Sequence, residues 1–235
     1  DGLQIADLKG GVKRNAIAPS ASAIFAVSDR SAAKAEIENR IADILNESKD
    51  TDPAGQITVE EASFAGEVLT KTLSKNLVDA IFTIPNGLYK KHEGEIITSS
   101  NLGILENNED HIRISSMIRS QIDSAKFNRA AIASKIVESF GAKTEIKSEY
   151  SGWQREESDL IGLASEVWKE LNGEDLIVAT THGGLECGLF KGERPEVEMI
   201  SFGPEILGAH SPEEKAHIGS TEKNYKFLKE LIKRI

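Results

Sequence analysis

The stretch GLYKKHEGEIITSSNLGILENNEDHIRISSMIRS, residues 87–120, changes the periodicity of the chain and thereby decides the fold. Before it, apolar residues recur every three or four positions, whereas within it apolar and polar residues alternate as in half-buried strands. Glu93-Gly94 and the polar run ENNED are turn sequences that divide the stretch into three segments. The stretch therefore predicts an antiparallel meander of three strands.

Helical and strand-like patterns surround this meander in the first 150 residues. Helices are predicted over about residues 31–46, 66–84 and 123–140, and further strands over residues 3–8, 22–29, 56–62 and 143–150. Pro85 ends the second helix, because the residue before a proline is pushed out of the helical region, and Gly141 caps the third. The pattern predicts an α+β domain: a mixed, mostly antiparallel sheet with helices on one face.

The sequence changes character after the polar joint SGWQREESD, residues 151–159. Helices are predicted over residues 159–171 and 221–235. Between them, EDLIVAT and EVEMISFG are short apolar runs, typical of strands that are buried on both faces. Two or three strands are few for an independent parallel sheet, so we expect an α/β segment of a larger sheet whose other strands lie elsewhere.

Composition excludes several classes of function. A net charge of −10 over 235 residues argues against nucleic acid or an anionic membrane as a partner, and no apolar run approaches the ~20 residues of a membrane helix. The single cysteine, Cys187, fits a reducing, cytoplasmic setting and excludes a cysteine-rich zinc site. A strand pattern that starts at residue 3 leads us to expect a chain cut inside a domain.

Two of the five histidines, His182 and His210, follow predicted buried strands, where open α/β sheets gather ligands. We interpret His210, in the loop LGAHSPEEK, as functional; for His182 a structural role is a fair alternative. Zinc normally takes three or four protein ligands, and the chain has no HExxH, paired CxxC or close HxH motif. His210 therefore lacks recognisable partners in this sequence.

Three other positions are candidates for ligand binding. Gly184 lies at a predicted helix start, where its N–H could hold a carboxylate, although the turn could need glycine for geometry alone. Arg119 could bind a carboxylate bidentately or pair with Asp123. Asn15 could bind a peptide group or cap its turn. A phosphate or nucleotide site at Gly183-Gly184 is least favoured, since the chain has no P-loop lysine-serine and no GxGxxG motif.

These motifs carry a resemblance to a known family. The blocks SNLGIL, IRSQIDSAK, SGWQ, HGGLECGLF, EMISFGPEILGAHSPEEK and FLKELI occur in order. With them, the sequence resembles the C-terminal half of the bacterial aminoacyl-histidine (Xaa-His) dipeptidases, and LKGGVKRNAIA resembles the start of that family's lid domain. The resemblance implies a cytoplasmic two-domain zinc peptidase, with residues 1–152 as the lid and residues 153–235 as the last segment of a split catalytic domain. NAIAPSAS departs from the family's usual NAIPREA near Asn15.

The resemblance also implies roles for individual residues. In the family, two zinc ions activate a water molecule that attacks the peptide bond of a dipeptide, and a glutamate is the general base. His210 matches the last zinc ligand, whereas Asn15, Arg119 and Gly184 match substrate contacts. Most zinc ligands and the base belong to the half that this chain does not match, so it has no catalytic residue of its own and we expect little or no activity from it alone.

The resemblance implies a homodimer formed through the lid. The alternative, from another class of function, is a non-catalytic dimerisation or interaction module that uses an exposed sheet edge or helix face.

Overall fold

A computed structural model describes residues 3–209 and 213–235 of the chain. The described residues form two compact units, which interleave along the sequence. Unit 1 contains residues 3–87, 100–118 and 128–145; unit 2 contains residues 88–99, 119–127 and 146–235 apart from 210–212.

The described residues form seven strands and six helices. In chain order they are β1 (Gln4–Gly10), β2 (Ala21–Ala26), α1 (Arg30–Ser48), α2 (Lys71–Thr83), β3 (Gly87–His92), β4 (Glu95–Asn107), β5 (Ile112–Ser120), α3 (Asp123–Ser139), α4 (Asp159–Asn172), α5 (Glu186–Glu193), β6 (Ile206–Leu207), β7 (Lys215–Ala216) and α6 (Ile218–Ile232). Strands β3, β4 and β5 are the three strands predicted between residues 87 and 120. No helix among these is long and apolar enough to span a membrane.

Strand β4 is the longest strand, and its residues are divided between the two units. The sheet has the order β2-β1-β4-β3, with β5 also paired with β4. In unit 1, β1 runs antiparallel to β2, with a register shift between Ile5 and Asp7, and Gly10 of β1 pairs with Leu105 of β4. The predicted fold class, an α+β domain with a mostly antiparallel sheet followed by an α/β segment, is therefore confirmed as a mixture of helices and antiparallel strands.

The core of unit 1 lies where α2 and α3 pack together. Ala80, Ile84 and Val137 are buried, and Leu102, Ile114, Ala133 and Phe140 pack against them. The hydroxyl of Thr70 caps α2 by accepting the Leu73 N–H at 3.2 Å. The helix ends at Thr83, and its C-cap residue Ile84 has an extended ψ of 131°, as expected for the residue before Pro85.

The core of unit 2 lies between α4 and α6. Ala164, Val167, Phe227 and Leu231 are buried there, and Phe227 meets the rings of Trp168 and Phe202 edge to face at 5.2 and 4.8 Å. The Ser158 hydroxyl caps α4, and Gly173, with φ of 72°, ends it in the left-handed region.

Several local predictions were wrong. The predicted strands over residues 56–62, 143–150, 174–180 and 196–203 are irregular segments in the structure. The two apolar runs of unit 2 are not buried on both faces: Leu176 and Ile200 pack against the core, but Ile177 of the first run is 89% exposed and Val197 of the second is 38% exposed. A short apolar run shows that burial is favourable without showing whether a pairing strand is present. Helix α6 begins at Ile218, before the predicted start, because His217 caps it by accepting the Ser220 N–H at 3.1 Å.

Candidate functional site

The ends of β4 and β5 in unit 2 present one polar face. The Thr98 and Ser120 hydroxyl oxygens lie 2.9 Å apart and are buried, and the Gln121 N–H donates to the Ile97 carbonyl at 3.1 Å. Successive side chains of a strand point to opposite faces. Ser99 and Arg119, which neighbour the buried pair, therefore share the opposite, half-buried face.

Arg119 is a half-buried cation on this face. Among residues 3–209 and 213–235, no carboxylate forms an ion pair with it. Asp123, the partner that the sequence left open, instead accepts from the Lys126 ammonium and from the Gly152 N–H, both at 2.7 Å. A guanidinium in this setting is ready to bind a carboxylate supplied by a ligand.

His182 contacts the same face. Its Nε2 lies 2.9 Å from the Ser99 hydroxyl oxygen, and the imidazole is half-buried. Burial, and then the positive charge of Arg119, lower the pKa of His182 below its ordinary value. The imidazole is therefore neutral at neutral pH, with one ring nitrogen that donates and one that accepts.

The turn after His182 is formed by glycine for a reason visible in the structure. The Gly183 N–H donates to the Thr181 hydroxyl at 3.0 Å. Gly184 lies against the ring of Tyr150, such that a Cβ on Gly184 would be 2.8 Å from the Tyr150 Cζ. A side chain at 184 would therefore have to displace the Tyr150 ring. The Gly184 N–H itself has no partner within the described ranges, so geometry and ligand binding are compatible there.

Helix α5 follows the turn with an open N-terminus. Its N-cap residue is Leu185, which makes no side-chain capping hydrogen bond. Among the described residues the Glu186 and Cys187 N–H groups have no partner and can face an anion or water, whereas the Gly188 N–H donates to the Leu185 carbonyl at 2.9 Å. Glu186 lies in the first turn, where a carboxylate interacts favourably with the helix dipole.

The segment before the turn is fixed by side chains that the sequence did not single out. Gln121 donates to the Thr180 hydroxyl at 3.0 Å and to the Ile96 carbonyl at 3.2 Å. Glu95 accepts from both the N–H and the hydroxyl of Thr180. These contacts join residues far apart in the sequence, so no local sequence pattern predicts them.

Asn15 lies in unit 1, in an exposed turn after β1. The side-chain amide of Asn101 donates to the carbonyls on both sides of it, at 2.9 Å to Arg14 and 2.7 Å to Ala16. No hydrogen bond of the Asn15 side chain is found in the part of the chain that the structure describes, so capping of its own turn is not observed. The turn is held from β4, and the Asn15 amide faces solvent.

The predicted zinc ligand, His210, lies outside the described residues. Within residues 3–209 and 213–235, no group of three or more His, Cys, Asp or Glu side chains is arranged to hold a metal ion. The described side chains thus do not fit a zinc centre.

Comparison with known proteins finds similarity along almost the whole chain. No protein-family model matches the chain. The chain is 33% identical, over 239 aligned positions, to the cytosol non-specific dipeptidase of Escherichia coli, and the match covers 99% of this chain and 49% of that protein. The crystal structure of aminoacylhistidine dipeptidase from Vibrio alginolyticus matches with a TM-score of 0.83 and 27% identity, again over 99% of this chain and 49% of the other.

The chain resembles the C-terminal half of a bacterial dipeptidase. The resemblance predicted from the sequence is thereby confirmed, and so is the fold class. The chain spans about half the length of each of these dipeptidases, which as a class are peptide hydrolases.

Proposed function

We propose that this chain supplies substrate-binding residues of a cytoplasmic, zinc-dependent dipeptidase that hydrolyses Xaa-His and similar dipeptides. The observation that carries the proposal is Arg119, a half-buried guanidinium that no carboxylate neutralises among the residues described. The free carboxylate at the end of a dipeptide would complete this site bidentately.

Gly184 and Asn15 are the other two substrate contacts of the proposal. The Gly184 N–H is exposed beside an uncapped helix start, which favours hydrogen bonding to a carboxylate or carbonyl oxygen of the substrate. The Asn15 amide is held in an exposed turn and would bind polar atoms near the peptide bond to be cleaved. Arg119 and Gly184 are supported by contacts within unit 2, and Asn15 by contacts within unit 1.

Zinc enters the proposal through the dipeptidase resemblance. His210 is proposed as a zinc ligand, but the described residues do not form a metal site, and we assign no catalytic residue to this chain. Hydrolysis would need ligands and a base from residues that the chain does not contain. The expectation of weak or absent activity for the chain alone follows from this.

We further propose that residues 1–152 act as a lid domain and residues 153–235 as a segment of a catalytic domain. Residues 175–180 of unit 2 support this division, since Leu176 packs against the core while Ile177 remains exposed and no strand pairs with the segment among the described residues. Such a segment is suited to a sheet that other strands complete. The division concerns roles in a longer dipeptidase, whereas the two compact units reflect packing within this chain.

The proposal includes a homodimer formed through the lid. Strand β3 lies at one end of the strand order and is exposed along its whole length, and exposed edge strands readily pair with another chain. Sedimentation equilibrium of the chain and of a Leu88→Lys variant tests this part. A monomer at high protein concentration would contradict it.

The substrate site is tested by calorimetric titration of the 235-residue chain with Gly-His. Arg119→Ala is expected to raise Kd by about tenfold or more, because a charge-assisted hydrogen bond contributes ~1.5–3 kcal/mol. Arg119→Lys, which keeps the charge without the planar fork, is expected to give an intermediate value. Equal affinity of all three proteins would contradict the proposal.

Activity and metal content test the remaining part. The purified chain is expected to hydrolyse Gly-His or β-Ala-His little or not at all and to bind zinc at low stoichiometry. Zinc-dependent cleavage of either dipeptide by this chain alone would show that its own residues complete the catalytic centre.

A further inference from the structure

His182 is a half-buried titratable side chain for which the proposed substrate site has no use. It lies two residues before Gly184, and its Nε2 contacts Ser99 on the face that also carries Arg119. Its neighbours on that face are therefore a hydroxyl and a guanidinium.

One nitrogen of the His182 ring is available to contact a ligand. Nε2 is engaged by the Ser99 hydroxyl at 2.9 Å, and Nδ1 has no hydrogen-bond partner in the part of the chain that the structure describes. If the hydroxyl donates to Nε2, the neutral imidazole carries its proton on Nδ1 and presents a second donor beside Arg119. Because the imidazole is neutral, it adds a donor there without adding a repelling charge.

We infer that His182 is a further substrate-contact residue, which donates its Nδ1–H to the carboxylate bound by Arg119. Ser99 is a positioning residue in this scheme, since its hydroxyl donates to Nε2 and fixes the tautomer. The ligand class is a carboxylate, because guanidinium, imidazole N–H and the Gly184 N–H are all donors. This inference rests on the proposed function, and it adds the residue that orients the bound carboxylate.

A purely structural role of His182 would depend on a different ring nitrogen. If His182 only tethers the turn to β4, the group that matters is Nε2, which contacts Ser99. Asparagine places its amide nitrogen near the position of Nδ1, whereas glutamine reaches the position of Nε2. The variants His182→Asn and His182→Gln are therefore a matched pair that separates the two roles.

The test is binding of Gly-His to the 235-residue chain, followed by calorimetry and by 15N spectra of the histidine rings. We expect an Nδ1–H tautomer for His182, a Kd raised by about tenfold or more in His182→Ala, near-normal affinity in His182→Asn and weakened affinity in His182→Gln. Ser99→Ala is expected to mix the two tautomers. Amide spectra establish that each variant is folded; if His182→Ala does not fold, the Asn and Gln variants decide.

The outcomes separate this inference from the proposed function. Weaker Gly-His binding in Arg119→Ala, together with unchanged binding in His182→Ala, overturns the inference alone. An Nε2–H tautomer of His182 in the wild-type chain does the same. So does an affinity that His182→Gln retains and His182→Asn loses. Unchanged binding in Arg119→Ala, or no binding of Gly-His to the wild-type chain, overturns both.

Discussion

His182 Nε2 lies 2.9 Å from the hydroxyl oxygen of Ser99, a residue 83 positions earlier in the chain. The contact joins the glycine turn before α5 to the strand β4, and it brings the imidazole to the face that Arg119 occupies. A strand serine thus contacts a histidine that the sequence alone left between a structural and a functional role.

The charge of Arg119 should be measurable in the titration of His182. The folded-state pKa of His182 is lowered, first by burial and second by Arg119, so Arg119→Ala is expected to raise the NMR titration midpoint only part of the way to the ordinary value. Arg113→Ala, on the same strand but paired with Glu106, serves as the control and should leave the midpoint unchanged.

The same lowered pKa sets the sign of a stability effect. The unfolded chain binds the His182 proton more tightly than the folded chain, so this contribution to stability is fully present above the unfolded pKa of ~6.5 and is lost as the pH falls toward the lower folded value. Between those pH values, the unfolding free energy from urea denaturation should fall less in His182→Gln than in the wild-type chain. An identical pH dependence would contradict the lowered pKa.

Gly184→Ala is expected to destabilise the folded chain. The added Cβ would lie 2.8 Å from the Tyr150 Cζ, and forcing the ring aside costs ~1–3 kcal/mol. Gly183→Ala is the matched control, because its Cβ would meet only the Thr181 hydroxyl, at 3.2 Å. In urea denaturation, Gly184→Ala should lower the unfolding free energy much less in a Tyr150→Ala background than in the wild-type chain. Equal losses in both backgrounds would show that contact with the ring is not the cause.

Asn101→Ala should release the turn that carries Asn15. The Asn101 amide donates to the carbonyls of Arg14 and Ala16. Loss of these two hydrogen bonds, at ~1 kcal/mol each, should raise the fraction of molecules in which the turn is locally unfolded by about tenfold or more. Trypsin cleavage after Lys13 and Arg14 should accelerate accordingly. Asn107→Ala, on the same strand but bonded to Asp7, should be cleaved at the wild-type rate. Equal cleavage rates for both variants would show that the Asn101 hydrogen bonds do not hold the turn.

Phe227→Ala tests the core of unit 2. Phe227 is 1% exposed and touches two aromatic rings, so its removal should cost ~3–5 kcal/mol of unfolding free energy. Tyr225→Ala, on the same helix but 62% exposed, should change stability by less than ~0.5 kcal/mol. Comparable losses would mean that α6 is not packed through Phe227.

The local features of the fold were predictable from the sequence. Turn residues at Glu93-Gly94 divide the meander, Pro85 ends a helix and Gly141 adopts a φ of 89° after α3. Each of these depends on the conformational limits of a few neighbouring residues. The resemblance to dipeptidases was likewise readable, since it is carried by contiguous blocks.

Features that depend on distant partners were not predictable. The apolar run over residues 174–180 indicates a strand, yet pairing depends on another segment, and none pairs with it in the described ranges. Whether Arg119 meets Asp123 was equally open, because Lys126 competes for the same carboxylate from the next turn of α3. Glu95, Ser99 and Tyr150 lie outside the sequence blocks that carry the resemblance, and only the folded backbone brings them to the glycine turn.

The contact between Gly11 and Gly103 limits how this protein can be altered. A Cβ at Gly11 would lie 1.9 Å from the Gly103 carbonyl oxygen, and a Cβ at Gly103 would lie 2.6 Å from the Arg14 Cα. Main chain therefore touches main chain, and no side-chain adjustment relieves a substitution at either position. A library of variants of this turn should randomise the exposed residues from Val12 to Ile17 and keep both glycines invariant.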